Sequence, residues 1–128
     1  QGKAAELLER ARKLLVEAAL AGMSEHAMGD ALGEPKQVAA VMAALGRDGR
    51  VVKTGGLWFD SAVVTSLASR VTAHLHQHGK LEIADFKDMT GLGRKQAIPL
   101  LEHFDREQLT KRDGSTRLPG AKLPPAGA

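Results

Sequence analysis

Residues 94–118 read RKQAIPLLEHFDREQLTKRDGSTRL, and this stretch decides the fold. Its first part is a helix from Arg94 to about Glu107. Its second part holds two short strands, Leu109-Thr110-Lys111-Arg112 and Thr116-Arg117-Leu118. Asp113-Gly114 between them is the strongest hairpin signal in the chain, because these residues favour the backbone angles of a tight turn. Pro99 lies well inside the helix. It removes the hydrogen bond to the Lys95 carbonyl and is expected to bend the helix there.

Upstream, Gly91-Leu92-Gly93 is a turn, preceded by a helix over roughly Ala84 to Thr90 and by the short apolar stretch Leu81 to Ile83. Before that, Val63, Val64, Leu67, Val71 and Leu75 recur at helical spacing behind Ser61, an N-cap residue type, and the stripe stops at Gly79. Three helices and a hairpin therefore occupy residues 61–118. The same order stands once already in residues 1–60. Leu7, Leu8, Ala11, Leu14, Leu15 and Ala18 form a first stripe ending near Gly22. Ser24 is placed to cap a short second helix closed by Gly33. A third helix has Pro35 in its first turn and presents Val38, Val41, Met42 and Leu45 inward. Val51-Val52-Lys53 and Leu57-Trp58-Phe59 are joined at Thr54-Gly55-Gly56. Laying Lys36-Gln37 on Lys95-Gln96 brings Leu45 onto Phe104 and, with a shift of one residue, Lys53 onto Lys111.

Three helices followed by a two-stranded wing describe the winged helix-turn-helix. The expected architecture is mainly α with small β wings: tandem winged-helix domains at 1–60 and 61–118. The boundary near Asp60-Ser61 has almost no linker, which implies a fixed orientation. Residues 119–128, rich in Pro, Gly and Ala, are expected to be a flexible tail.

Composition limits the function classes. The 128 residues contain no cysteine and no tyrosine, and they show no Gly-rich phosphate loop and no Ser/His/Asp constellation, so an enzyme is not expected. No cofactor is implied. No window is apolar enough to span a membrane, and a cytoplasmic location is the expectation. The chain starts at Gln1 and is expected to be a piece of a longer protein. His74 and His78 share a helix face but have no evident third ligand. They suit the negative end of the helix dipole, and no metal site is expected.

Charge is uneven. Residues 1–60 carry eight Lys/Arg against eight Asp/Glu, and residues 61–128 carry ten against seven. Two spots concentrate the excess. Gly93, Arg94, Lys95 and Gln96 form a helix start whose free amides and positive dipole end suit a phosphate. Lys111 and Arg112 flank the wing tip, on opposite faces of the strand, with Arg117 on the return strand. Glu102, Asp105 and Glu107 on the outer face of the last helix would oppose phosphates, so only the helix tip suits a nucleic acid. Phe59, Phe86, Phe104 and Trp58 read as core, which leaves no platform for stacking bases. The major groove of A-form RNA excludes a helix, and a helix tip with a wing gripping a stem-loop is the geometry this layout permits. A tandem winged-helix regulator of double-stranded DNA and a protein-interaction module are the alternatives.

The run TGLGRKQAIPLLEHFDR, residues 90–106, together with Leu109-Thr110-Lys111-Arg112, resembles the C-terminal winged helix of the bacterial selenocysteine-specific translation elongation factor. The domain order extends the likeness to the last two of that family's four winged helices. The resemblance implies an RNA-binding module for the messenger-RNA hairpin that directs selenocysteine insertion at UGA. It implies contacts from Arg94 and Lys95 at the helix start and from Lys111 and Arg112 on the wing, with Arg117 a weaker carry-over. The implied partners are that stem-loop, the GTPase and tRNA-binding domains of the full-length factor, and the ribosome. This sequence departs from the family's usual residue at Gln96 and in its wing tip at Asp113.

Overall fold

A computed structural model describes residues 2–126. The chain divides between Val64 and Thr65 into two compact units.

In the first unit, α1 (Gly2–Ala18) runs into a 3-10 turn (Ala19–Ala21) and is followed by β1 (Met23–Ser24), α2 (Glu25–Leu32), α3 (Val38–Arg47), β2 (Val51–Thr54) and β3 (Leu57–Asp60). The stripe of α1 works as its spacing requires: Leu7, Ala11 and Leu15 are buried, with Leu8 and Leu14 packed beside them. They meet Met28 and Leu32 of α2 and Val38, Val41, Met42 and Leu45 of α3 in one core. Ser24 caps α2 by accepting the Ala27 amide at 3.1 Å. The third helix starts later than expected. Residues 35–37 form a turn closed by the Gln37 amide on the Glu34 carbonyl, with Pro35 packed over Gly29.

The second unit repeats the plan with α4 (Ser61–His78), β4 (Leu81–Glu82), α5 (Ile83–Thr90), α6 (Arg94–Arg106), β5 (Thr110–Asp113) and β6 (Thr116–Pro119). Its core gathers Leu67, Val71, Leu75, Leu81, Phe86, Ala97, Leu100, Leu101, Phe104 and Leu109, all buried. The α6 helix is continuous through Pro99, which is buried. Arg70 of α4 donates to the Met89 carbonyl at the end of α5 and ties those helices together.

Both sheets have three strands, in the orders β1-β3-β2 and β4-β6-β5. The third strand of each was not evident in sequence, being two residues long and paired at a distance: Met23 with Trp58, and Leu81 with Arg117. These are winged-helix domains, mainly α with small antiparallel wings, as the element order implied.

Three local expectations are corrected. The α4 helix starts at Ser61, but its cap is Asp60, whose carboxylate accepts the Val63 amide at 3.2 Å. The Ser61 amide is held by the Arg50 carbonyl, so the first turn of α4 groups with the first unit and the division falls after Val64. The second wing turns one residue later than Asp113-Gly114: Asp113 pairs with Thr116, and the loop is Gly114-Ser115, with Gly114 at φ 64. Positive φ at the first loop residue is what a II′ hairpin turn demands.

The segment after Pro119 is not a loose tail. Gly120 donates to the Leu109 carbonyl at 3.0 Å and Lys122 to the Gln108 carbonyl at 2.9 Å, while His76 meets the Pro124 carbonyl at 2.6 Å. A Cβ on Gly120 would lie 2.2 Å from the Gln108 oxygen. Gln108 itself has φ 62, a left-handed bend that turns its carbonyl toward the returning chain. Residues 127 and 128 lie outside the described residues.

Candidate nucleic-acid interface

Gly93 is the N-cap of α6, with no side chain capping the helix start and no acid in the first turn. A Cβ built on Gly93 meets nothing within 4 Å, so the approach to the first helical amides is open. The first intrahelical bond runs from the Ala97 amide to the Gly93 carbonyl at 3.0 Å. Arg94 and Lys95 are exposed beside this end and Gln96 is half-buried. Two cations at a positive dipole end disfavour an isolated helix by a few tenths of a kcal/mol each. An arriving anion reverses the sign of that effect.

On the wing, Lys111 pairs with Leu118 and Arg112 with Arg117 across the strands. Lys111 and Arg112 are exposed on opposite faces. The Arg112 Nε–H donates to the Gly114 carbonyl at 3.0 Å, which holds its guanidinium over the turn.

The helix tip and the wing tip meet. A groove of about 310 Å³ is lined by Arg94, Ile98 and Glu102 from one face of α6, by Ile83, and by Arg112, Gly114, Ser115 and Arg117 from the wing. Lys111 is not in it. It lines a second hollow of about 270 Å³ with Asp105, Gln108, Thr110 and Arg112. Of the sequence candidates, the structure therefore joins Arg94 to Arg112, leaves Gly93 and Lys95 at the adjacent helix start, and sets Lys111 on the other side of the wing. Ile83, Ile98, Glu102, Gly114 and Ser115 were missed as groove residues. The i, i+4, i+8 spacing of Arg94, Ile98 and Glu102 is the signal that could have found three of the walls.

Arg117 has a different part. Its side chain is only 3% exposed, and its Nη2 and Nε atoms donate to the Asp105 carboxylate at 2.8 and 3.3 Å. The Thr110 hydroxyl donates to the same carboxylate at 2.6 Å. Arg117 is thus not a free surface cation, and Asp105 is not a free surface acid on the outer face of α6. The two expectations fail together, since each residue neutralises the other.

The remaining titratable candidates lie apart from the groove. Burial holds the His103 imidazole below its usual range, with Glu107 pulling the other way and Arg106 adding to the fall. The His74 and His78 rings are 4.5 Å apart, and His74 lies 4.0 Å from Asp85. Among the described residues no group of three or more acidic, His or Cys side chains is arranged to hold a metal ion. Phe59, Phe86 and Phe104 are buried, as expected; Trp58 is half-buried, with Lys53 Nζ 5.2 Å from its ring centre on the first wing. No helix among the described residues is long and apolar enough to cross a membrane.

Two repeated helix-and-wing units, the second with a basic groove between helix tip and wing, define a tandem winged-helix protein. Residues 73–118 match the family described as "Elongation factor SelB, winged helix". The chain is 31% identical over 83 residues to the selenocysteine-specific elongation factor of Desulfomicrobium baculatum, and 54% identical over 35 residues to that of Escherichia coli K12. These matches cover 64% and 27% of this chain, but only 13% and 6% of the two relatives. In fold, the chain is similar to the mRNA-binding domain of E. coli elongation factor SelB, solved in complex with SECIS RNA. The TM-score is 0.81 at 20% identity, covering 94% of this chain and 98% of that one. The chain resembles a C-terminal winged-helix piece of the selenocysteine-specific elongation factor, in agreement with the run at residues 90–106.

Proposed function

We propose that this chain is the RNA-binding module of a selenocysteine-specific elongation factor. It holds a messenger-RNA stem-loop, the selenocysteine insertion element, between the helix tip and the wing of its second unit. The observation that carries the reading is the convergence of Arg94 and Arg112 on one groove beside an uncapped helix start. One phosphate can take the first-turn amides with Arg94 and Lys95, and the next stretch of backbone can lie along Arg112. Lys111 reaches a phosphate on the other side of the wing. Gln96 stands half-buried in the same first turn, while Arg117 contributes from beneath through its pairing with Asp105.

The groove is too small for a duplex and too mixed in charge for the length of α6 to lie along phosphates, because Glu102 is in it. Single extruded or looped nucleotides fit that description better than a DNA major groove. The module is non-catalytic. In this reading a GTPase and tRNA-binding part of the same cytoplasmic factor, and the ribosome, are its further partners. The first unit serves as a spacer: residues 35–37, which stand where Arg94-Lys95-Gln96 stand in the repeat, form a turn and offer no basic helix tip.

Titration of the chain with a labelled SECIS-type RNA stem-loop tests this, with a DNA duplex of matching stem sequence beside it. Salt-dependent binding of the stem-loop, at least tenfold tighter than the duplex, is the expected result. Equal binding of the duplex would favour a DNA regulator, and no binding of either at low salt would favour a protein-interaction module.

A further inference from the structure

Three hydrogen bonds from the second wing converge on Asp105, a residue of the helix that the wing must face. Thr110 opens β5 and Arg117 lies in β6, so both strands are tied to α6 through one carboxylate. The tie sits immediately beside the exposed cations. Thr110 precedes Lys111 in the chain, and Arg117 is the cross-strand partner of Arg112. Toward the other end of the helix, Asp105 is separated from Arg94 by a rigid stretch of ~16 Å at helical rise.

A buried ion pair is poor evidence for a stabilising role, because the desolvation of its two charges offsets most of their attraction. Its directional bonds are another matter. Apart from them, α6 holds the wing at its base, where the Leu109 amide donates to the Phe104 carbonyl at 3.0 Å and the Leu109 side chain is buried; the angle-dependent bonds to the charged Asp105 acceptor reach both strands. The far strand is held separately, by the Thr116 hydroxyl on Glu82 at 2.9 Å.

We propose that Asp105 is the positioning residue of the RNA-binding site: through Arg117 and Thr110 it sets the wing so that Arg112 and Arg94 face one groove and Lys111 its other side. The role rests on the reading of the groove as an RNA site, and it assigns to Asp105 no contact with RNA. Removing the carboxylate charge leaves Arg94, Lys111 and Arg112 in place but no longer in register with successive phosphates.

The test uses the full chain and the variants Asp105→Asn, Arg112→Ala and the double variant, with a labelled SECIS-type stem-loop as probe. Asp105→Asn is expected to weaken binding about tenfold and to lower the slope of log affinity against log salt by about 1, as the loss of one phosphate contact does. In the double variant the two losses do not add, since a wing already out of register has no Arg112 contact left to lose. A second measurement needs no RNA. In the free protein, heteronuclear NOEs of the amides of residues 111–117 should fall in Asp105→Asn while those of α6 up to Phe104 stay unchanged. Additive losses with an unchanged salt slope, or a wing as rigid as in the parent chain, overturn the positioning role. Failure of the parent chain to bind the stem-loop overturns the RNA reading itself, which the NOE comparison does not depend on.

Discussion

Arg94 at the start of α6 and Arg112 on the second wing, though distant in sequence, line the same groove, with Ile98 and Ile83 as its apolar walls. The pair makes a bridge between the two basic spots, so each arginine should contribute to the same salt-dependent event. Arg94→Ala and Arg112→Ala are each expected to lower the salt slope of stem-loop binding by about 1 and the affinity by about tenfold. Both residues are exposed, so the melting temperature should stay within a degree or two of the parent. Lys111→Ala should do the same to the slope while leaving the groove intact. An unchanged slope for any of the three removes that residue from the interface.

Arg117 behaves differently. Replacing it with Met leaves the Asp105 carboxylate with the Thr110 hydroxyl but without its paired cation, and should cost about 2–4 kcal/mol of stability in denaturant unfolding. The lower part of that range reflects the partial solvent access of Asp105, whose side chain is 21% exposed. Arg117→Met, Asp105→Asn and their combination form a cycle in which the double variant should be more stable than the sum of the single losses predicts.

Gly120 holds the returning chain. Gly120→Ala forces a Cβ to within 2.2 Å of the Gln108 oxygen, so the segment after Pro119 must lift away. The expected cost is about 1–3 kcal/mol, accompanied by loss of hydrogen-exchange protection at the Gly120 and Lys122 amides. Deleting the residues after Pro119 should lower stability similarly, whereas a tail that made no contacts could be removed without effect.

His103 makes the second unit sensitive to acid. Burial lowers its proton affinity in the folded chain relative to the ordinary value of 6.5, so the unfolded chain takes up its proton at higher pH. The contribution of the neutral ring is therefore complete above about 6.5 and is lost as the pH falls through that value toward the folded one. Melting temperature measured from pH 7.5 down to 5 should decline in the parent and decline less in His103→Gln.

The parts of the fold that were legible in the sequence are those decided by neighbours within a turn or two. The Leu7–Leu15 and Val64–Leu75 stripes, the Ser24 cap and the wing strands all follow from local periodicity and turn chemistry. The parts that were not are decided at a distance. Two-residue strands such as Leu81–Glu82 carry no periodic signal and exist because β6 offers them a ladder. The same holds at the site. Arg94, Lys95, Lys111 and Arg112 were readable as exposed cations, but whether Arg117 or Asp105 faces solvent depended on their meeting each other. The lost first turn of α3 has a similar origin, since Pro35 is drawn against Gly29 of the preceding helix.

Asp60 ends the first wing and at the same time caps α4. The duplicated modules therefore overlap by a residue at the point where a clean seam is expected. A fragment opened at Ser61 would begin with an unsatisfied helix start, whereas one opened a residue earlier keeps the cap but takes the final rung of the other wing's ladder, where Asp60 faces Val51. A second module cut at Ser61 would need a new acceptor for the Val63 amide, so the residue that closes one wing also decides where the next helix can begin.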